Sequence, residues 1–222
     1  MMREVNNIFS KKASRIIRVL LVNFGRKWTI EELSKESNVS LGYTHAVVTT
    51  LLKQSNVHRD NSYKVKLSNP GLILKRWASY SQYTAVNTFL RYHTFEDNID
   101  NFLRKFKEIE NRRYAFTVLT GAHLVAPYVR PTNIHFYIGK RRDVDHYVAK
   151  LDLRPVETGG NISMVLPYDE GVFYKTQDIE GLKVVSNVQL YVDLMNYPAR
   201  GEEAAQGILF LLEKEWKNHV FQ

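Results

Sequence analysis

The chain has 222 residues, of which 44% are hydrophobic, and no cysteine, so disulfides, thiolate metal sites and cysteine nucleophiles are excluded. No apolar run approaches the roughly 18 to 20 residues that span a bilayer, and the N-terminal sequence lacks the apolar centre of a signal peptide, so we expect a cytoplasmic protein with no membrane partner. The net charge of +8 comes from the first third of the chain: residues 1–83 hold 14 Lys+Arg against 5 Asp+Glu (+9), and residues 84–222 hold 17 against 18 (−1). This asymmetry favours a polyanion as the partner of residues 1–83.

Three helices are predicted between residues 11 and 54. The first has a stripe of apolar residues at helical spacing, with Arg15 and Arg18 off it: Ala13, Ile16, Ile17, Leu20, Leu21 and Phe24. Thr29 and Glu32 form a capping box at the start of a short second helix, and Ser40 begins a third helix that ends near residue 54. This spacing is typical of a helix-turn-helix, in which the last helix enters the major groove.

The third helix and the segment after it supply the predicted DNA contacts. One side of the helix is expected to pack inward, and the remaining sides carry Ser40, Tyr43, His45, Thr49, Thr50 and Lys53. Residues 57–59 and 63–67 alternate as strands about a turn sequence, which predicts a hairpin wing with Arg59, Lys64 and Lys66. We therefore predict a winged helix-turn-helix DNA-binding domain over residues 1–83. The alternative is that the same fold makes protein contacts.

Residues 84–222 are predicted to form a mixed α/β or α+β domain around a central sheet. Asn69-Pro70 caps a helix, with Pro in the first-turn position, and residues 71–78 can continue this helix away from the wing. Residues 84–90 have strand propensity, and residues 95–109 form an amphipathic helix. Strands are expected at 114–119, 134–138, 163–166 and 182–185, and helices at 121–126, 143–150, 187–196 and 201–218.

The C-terminal half resembles a known family. The run Ser186–Met195 (SNVQLYVDLM) followed by Arg200–Ala205 (RGEEAA) is similar to the C-terminal signature of AbiEi-type antitoxin regulators, and Leu119–Ala126 with Asn133–Ile138 is similar to the family's middle segment. The resemblance implies a DNA-binding domain that represses its own operon. It also implies a C-terminal domain that opposes a nucleotidyltransferase toxin of a type IV toxin–antitoxin system, without necessarily contacting that toxin. Single-gene relatives without a toxin also occur in such families.

The signature run has a structural interpretation and a ligand-binding one. Ser186 can cap a helix, and acids after Arg200 suit the start of the next helix, so the structural interpretation is favoured. If a pocket exists, Gln189, Asp193 and Arg200 are the polar residues expected to act in it. A homodimer on repeated half-sites requires uncovered apolar surface, for which the C-terminal candidates are Phe210, Trp216 and Phe221.

Residues 121–136 are similar to the core of nucleotidyltransferases, in which a strand presents two carboxylates, one residue apart, to divalent metals. Here those positions hold Asn133 and His135, which supply no negative charge and would bind magnesium poorly. If this similarity holds, the domain has a degenerate nucleotidyltransferase-like fold. If it does not, the segment is a buried strand without a role in catalysis. Since no other catalytic motif is present, we expect that the chain is not an enzyme and that it binds no cofactor or metal.

The leading functional hypothesis is a sequence-specific DNA-binding regulator, an autorepressing AbiEi-like antitoxin with an operator duplex as its partner. One alternative is a regulator whose C-terminal domain binds a small effector. A second is an active nucleotidyltransferase.

Overall fold

The computed structural model describes residues 4–127, 130–198 and 200–218, and these form a mixed α/β protein. The N-terminal part consists of α1 (Lys11–Val22), α2 (Ile30–Ser37), α3 (Leu41–Lys53), β1 (Val57–Arg59), β2 (Val65–Leu67) and α4 (Pro70–Tyr80). The predicted capping box is present: the Thr29 hydroxyl accepts a hydrogen bond from the Glu32 amide, and the Glu32 carboxylate accepts one from the Thr29 amide. The sequence signals for the first three helices therefore located them to within a few residues.

The turn between α2 and α3 depends on Asn38, which adopts a left-handed conformation with φ 52°. Asparagine tolerates this conformation better than most residues other than glycine, so it can end α2 sharply. The β1–β2 hairpin is attached to the helices by Trp28, whose amide and carbonyl pair with Val65 at 2.9 and 2.7 Å. The helices and the hairpin therefore pack as one unit.

The rest of the described chain forms α5 (Tyr83–Val86), β3 (Thr88–His93), α6 (Ile99–Arg104), β4 (Tyr114–Phe116), α7 (Val118–Val125), β5 (Ile134–Ile138), α8 (Val144–Leu151), β6 (Arg154–Pro155), β7 (Ile162–Leu166), β8 (Gln177–Ile179), β9 (Leu182–Val184), α9 (Asn187–Met195) and α10 (Gly201–Asn218). Short 3-10 helices occupy residues 105–108, 141–143 and 170–173. Within the described ranges, seven strands form one mixed sheet in the order β6-β3-β7-β5-β4-β9-β8. Strand β5 lies in the middle of this sheet, parallel to β7 and antiparallel to β4, and all five of its residues are buried.

Several predicted elements are corrected by the structure. Residues 84–86 belong to a helical turn where a strand was predicted, and the strand begins at Thr88. Tyr83, which begins this turn, is buried and packs edge-on against Phe89. The helix predicted from residue 95 begins at Ile99, and Phe95 is 76% exposed. The helix predicted from Gly121 begins earlier, at Val118. Strands β6 and β8 were not predicted, since two or three residues carry too little periodicity to identify a strand.

Helices α1 and α4 pack on α9, so apolar contacts cross the predicted boundary at residues 83 and 84. Near the C-terminus, Trp216 is buried and packs edge-on against Phe24 at 6.0 Å between ring centroids, whereas Phe210 is 69% exposed. Phe221 lies outside the described residues. Along the part of the chain that the structure describes, none of the helices combines the length and apolarity that crossing a membrane requires.

Candidate functional site

The N-terminal half of α3 is the most exposed part of that helix. Ser40 and His45 are exposed, and they flank Leu41 and Gly42, which are exposed too. Ser40 stands at the N-cap position, but its hydroxyl makes no capping hydrogen bond within the described residues. A Cβ built on Gly42 would meet no heavy atom within 4 Å, so this end of α3 faces open space. A flat partner surface can approach the backbone closely here.

The remaining part of the predicted DNA-contacting side of α3 is covered by residues 4–10, the segment before α1. The Val5 amide donates to the Thr50 hydroxyl at 3.1 Å, the Tyr43 hydroxyl lies 3.1 Å from the Ser10 hydroxyl, and Lys53 forms an ion pair with Glu4. The predicted exposure of this face was therefore wrong for its central positions.

Thr49 and Thr50 are removed from the candidate set of DNA contacts because both side chains are buried. They are 5% and 6% exposed, and the Thr50 hydroxyl also donates to the carbonyl of Ala46. Both side chains are in the interior, so neither can reach a base edge without rearrangement of the helix or of the covering segment. Tyr43 remains half-buried and Lys53 remains exposed but paired.

The β1–β2 hairpin presents the other predicted cations. Arg59 is exposed, Lys64 and Lys66 are half-exposed, and within the described residues none of the three is paired with a carboxylate. The turn is held by Asp60, whose carboxylate accepts hydrogen bonds from the Ser62 and Lys64 amides at 2.9 and 3.0 Å. A rigid turn with uncompensated positive charge is well suited to contact a phosphate backbone.

The C-terminal candidates Gln189 and Asp193 meet in a buried polar network, 1% and 2% exposed. The Asp193 carboxylate accepts hydrogen bonds from the Gln189 amide group at 2.7 Å, from the Thr117 hydroxyl at 2.6 Å and from the Tyr137 hydroxyl at 3.1 Å. The Gln189 side-chain oxygen in turn accepts a hydrogen bond from Nε of Arg18 at 2.9 Å. The network therefore connects α1 to α9 and the sheet.

Burial raises the pKa of Asp193 to about 6, although the hydrogen bonds from Thr117, Gln189 and Tyr137 and the charge of Arg18 act in the opposite direction. The sequence did not indicate that Arg18 belongs here, because it lies off the apolar stripe of α1. It is nevertheless 1% exposed, since α9 packs against the side of α1 that carries it. The sequence did contain one signal for this network, since Gln189 and Asp193 are four residues apart and therefore lie on the same face of a helix.

Arg200 does not join this network. It is exposed and forms an ion pair with Glu203 one turn along α10, with an Nε–Oε2 distance of 2.7 Å. The side chain thus belongs to the start of α10, where an ion-paired junction was the structural interpretation of the sequence.

Asn133 and His135, the two positions that correspond to the metal-binding carboxylates of nucleotidyltransferases, lie on either side of Ile134 at the start of β5. His135 is 5% exposed, and its two ring nitrogens lie 3.1 Å from the hydroxyls of Tyr83 and Tyr197. Burial lowers the pKa of His135 to about 4, so the ring is neutral at pH 7. Asn133 is half-buried, and no group of three metal-ligating side chains occurs in the described part of the chain. Both imidazole nitrogens are thus engaged by tyrosines.

Comparison with known proteins identifies a family. The sequence model described as "Transcriptional regulator, AbiEi antitoxin, Type IV TA system" matches residues 66–214, about two thirds of the chain. Neither the curated proteins nor the solved structures contain a match. The match covers β2 through most of α10 and includes the polar network of Gln189 and Asp193. The chain belongs to the AbiEi antitoxin family of transcriptional regulators.

Proposed function

We propose that this chain is a sequence-specific repressor that binds operator DNA of its own operon through residues 1–83. The observation that carries the proposal is the order of α1, α2, α3 and the β1–β2 hairpin, which is the order of a winged helix-turn-helix. In that fold α3 is the recognition helix and the hairpin is the wing. Family membership supports a role in transcription regulation.

Charge supports duplex DNA as the partner of this face. Residues 1–83 have a balance of +9, against −1 for residues 84–222. The proposed wing carries Arg59, Lys64 and Lys66 without carboxylate partners among the described residues. Phosphate contacts by such side chains supply affinity that does not depend on sequence and falls with salt.

Sequence preference is assigned to the exposed N-terminal half of α3. Ser40 and His45 are the proposed base-contacting residues, and Gly42 allows the helix to lie close to the groove floor. Tyr43 and Lys53 are given a supporting role, because the segment of residues 4–10 contacts both of them. In the cell, such a repressor acts in the cytoplasm, as a homodimer on two half-sites.

A promoter reporter tests autorepression. The region upstream of the gene is fused to a reporter, and the full chain is supplied in trans as wild type, as the Lys64→Ala/Lys66→Ala double variant and as Lys150→Ala. Lys150 is a partly exposed lysine on α8, so it controls for the loss of one surface charge. Repression by wild type and Lys150→Ala, with derepression by the double variant, supports the proposal. A reporter that does not respond to the wild-type chain contradicts it.

The antitoxin role is assigned to residues 84–222, which are proposed to oppose a nucleotidyltransferase toxin encoded beside the gene without direct contact. The match of the family model, almost all of which lies in this part, supports the assignment. If the two roles are separate, the Lys64→Ala/Lys66→Ala double variant should lose repression and still rescue growth of cells that express the toxin. Loss of both activities in a folded double variant contradicts the division at residue 83.

A second candidate function is a regulator that responds to a small ligand. The observation that favours it is a cleft between α1 and residues 170–174.

A further inference from the structure

Residues 4–9, here called the strap, contact α3 at one end and α4 at the other. The end on α4 is firmly anchored. Ile8 is 4% exposed and belongs to the hydrophobic core, and the side-chain amide of Asn7 donates to the Tyr80 hydroxyl at 2.6 Å. The ring of Phe9 lies 5.9 Å from the ring of Tyr80. This end of the strap is therefore part of the folded N-terminal unit.

The end of the strap on α3 is held by few contacts. The Val5 amide donates to the Thr50 hydroxyl at 3.1 Å, and Glu4 forms an exposed ion pair with Lys53. Beside these contacts, a groove of about 570 Å³ lies between the strap and the N-terminal half of α3. One hydrogen bond and one exposed ion pair contribute little to stability, so this end can leave α3 while the other end stays anchored.

The strap lies on a face of α3 to which the proposed function assigns DNA contacts. Tyr43, Ala46, Thr50 and Lys53 are three, four and three residues apart, so they share one face of the helix. The strap contacts Thr50 and Lys53 directly, and Ala46 and Tyr43 line the groove beneath it. A duplex that approaches along α3 therefore meets the strap before it reaches Lys53.

The charge of Glu4 matches the charge of the expected partner. Residues 1–83 hold only 5 acidic residues against 14 lysines and arginines, and Glu4 is the one that pairs with a cation of α3. A carboxylate and a phosphate are both anionic acceptors, so they compete for the ammonium group of Lys53. Glu4 thus takes the place on α3 that a phosphate of the DNA backbone would take.

We propose that the strap is autoinhibitory: residues 4–6 cover α3 in the free protein, and duplex DNA has to displace them. The Glu4–Lys53 ion pair is then exchanged for a contact between Lys53 and a phosphate, and residues 7–9 stay anchored on α4. Only molecules with a displaced strap bind DNA, so the apparent Kd is the intrinsic Kd divided by the fraction of such molecules. The inference rests on the proposed function, since it requires DNA binding by α3.

Fluorescence anisotropy of full-chain variants with the upstream DNA tests the strap. Glu4→Gln should tighten binding about two- to fivefold, which corresponds to the contribution of an exposed ion pair. Adding Val5→Pro, which removes the amide that donates to Thr50, should bring the gain to about tenfold. Equal affinity of wild type and this double variant, with the upstream DNA still preferred, overturns the strap and leaves the proposed function standing. Absence of binding by both proteins contradicts the strap and the proposed function together.

Loss of a negative charge can favour DNA binding without any strap, so the gain has to be traced to the ion pair. In the Lys53→Met background, Glu4→Gln should lose most of its effect, because the strap has already lost that pair. Glu108→Gln breaks another exposed ion pair, with Lys150, outside residues 1–83, and should leave the affinity unchanged. A gain from Glu4→Gln that is as large with Met at position 53 as with Lys overturns the proposal.

Hydrogen exchange measured by NMR on the wild-type chain shows where the strap goes. Saturating upstream DNA should slow amide exchange at residues 40–45 of α3, which the duplex covers. The same DNA should speed exchange of the Val5 amide, because this amide loses Thr50 as its acceptor. Slower exchange of Val5 in the complex overturns the proposal, since the strap would then be an arm that contacts DNA.

Discussion

Asp193 should destabilise the folded protein as the pH rises from about 4 to about 7. Its pKa in the folded protein is about 6, above the ordinary value of 3.8, because the carboxyl group is buried. An acid with a raised pKa binds its proton more tightly in the folded state than in the unfolded state. Its contribution to stability is therefore complete below pH 3.8 and is lost as the pH rises through about 6.

The size of the effect follows from the shift. The full difference between 3.8 and about 6 corresponds to about 3 kcal/mol in the free energy of unfolding. Between pH 4 and pH 7 the portion lost is about 2 kcal/mol, because the proton is already partly lost from the unfolded state at pH 4. Asp60 and Glu203, whose pKa values are lowered by Lys27 and Arg200, act in the opposite direction, so the wild-type curve alone does not isolate Asp193.

The assay is denaturant unfolding of wild type and Asp193→Asn at several pH values. The variant is destabilised at every pH. The side-chain oxygen of Gln189 accepts a hydrogen bond from Arg18, so its amide nitrogen must donate to residue 193. The amide nitrogen of an asparagine at position 193 therefore either faces this donor or replaces the oxygen that accepts hydrogen bonds from Thr117 and Tyr137. That destabilisation does not depend on pH. The difference in the free energy of unfolding, wild type minus variant, should therefore fall by about 2 kcal/mol from pH 4 to pH 7.

A difference that does not change with pH would refute this reasoning, because Asp193 would then titrate alike in the folded and unfolded chains. A difference that rises with pH would refute it more specifically. It would mean that Arg18 and the three hydrogen-bond donors stabilise the carboxylate by more than burial costs.

Three further predictions concern the N-terminal part. Lys64→Ala and Lys66→Ala should each weaken binding to all DNA sequences alike and lower the slope of log K against log salt by about 0.9, as measured by fluorescence anisotropy; an unchanged slope contradicts the assignment of the wing. His45→Ala should cost about 1–3 kcal/mol of discrimination between operator and scrambled DNA without loss of stability, and equal discrimination would remove His45 from the base contacts. Asn38→Ala should lower the free energy of unfolding by about 1 kcal/mol and Asn38→Gly should not, because φ is 52° there; denaturant unfolding checks both, and equal losses would show that the side chain matters instead.

Local signals in the sequence located elements whose ends are determined by their own residues. The capping box at Thr29, the Asn69-Pro70 start of α4 and the acidic start of α10 place these helices as the structure has them. Strand β5 was predicted with its observed ends because a run that is apolar or aromatic except for His135 crosses the middle of the sheet. These features depend on hydrogen bonds and burial within one element, so one sequence suffices to predict them.

Features that depend on contacts between distant segments were missed. The residues before α1 cover the middle of α3, and nothing in the spacing of Tyr43 or Thr50 reports that a segment forty residues away lies on them. Likewise Arg18 lies off the apolar stripe of α1, yet α9 covers it. Helical periodicity identifies one buried face of a helix and carries no information about a second packing partner, so residues that a distant segment covers look exposed in the sequence.

The most direct test of DNA binding is fluorescence anisotropy of the wild-type chain with labelled DNA from upstream of its gene, and with a scrambled duplex of the same composition, across a salt series. The proposed function predicts tighter binding to the upstream DNA, with an affinity that falls linearly with the logarithm of salt concentration. Equally weak binding to both duplexes would contradict it, and would make the basic face of residues 1–83 a nonspecific or protein-contacting surface.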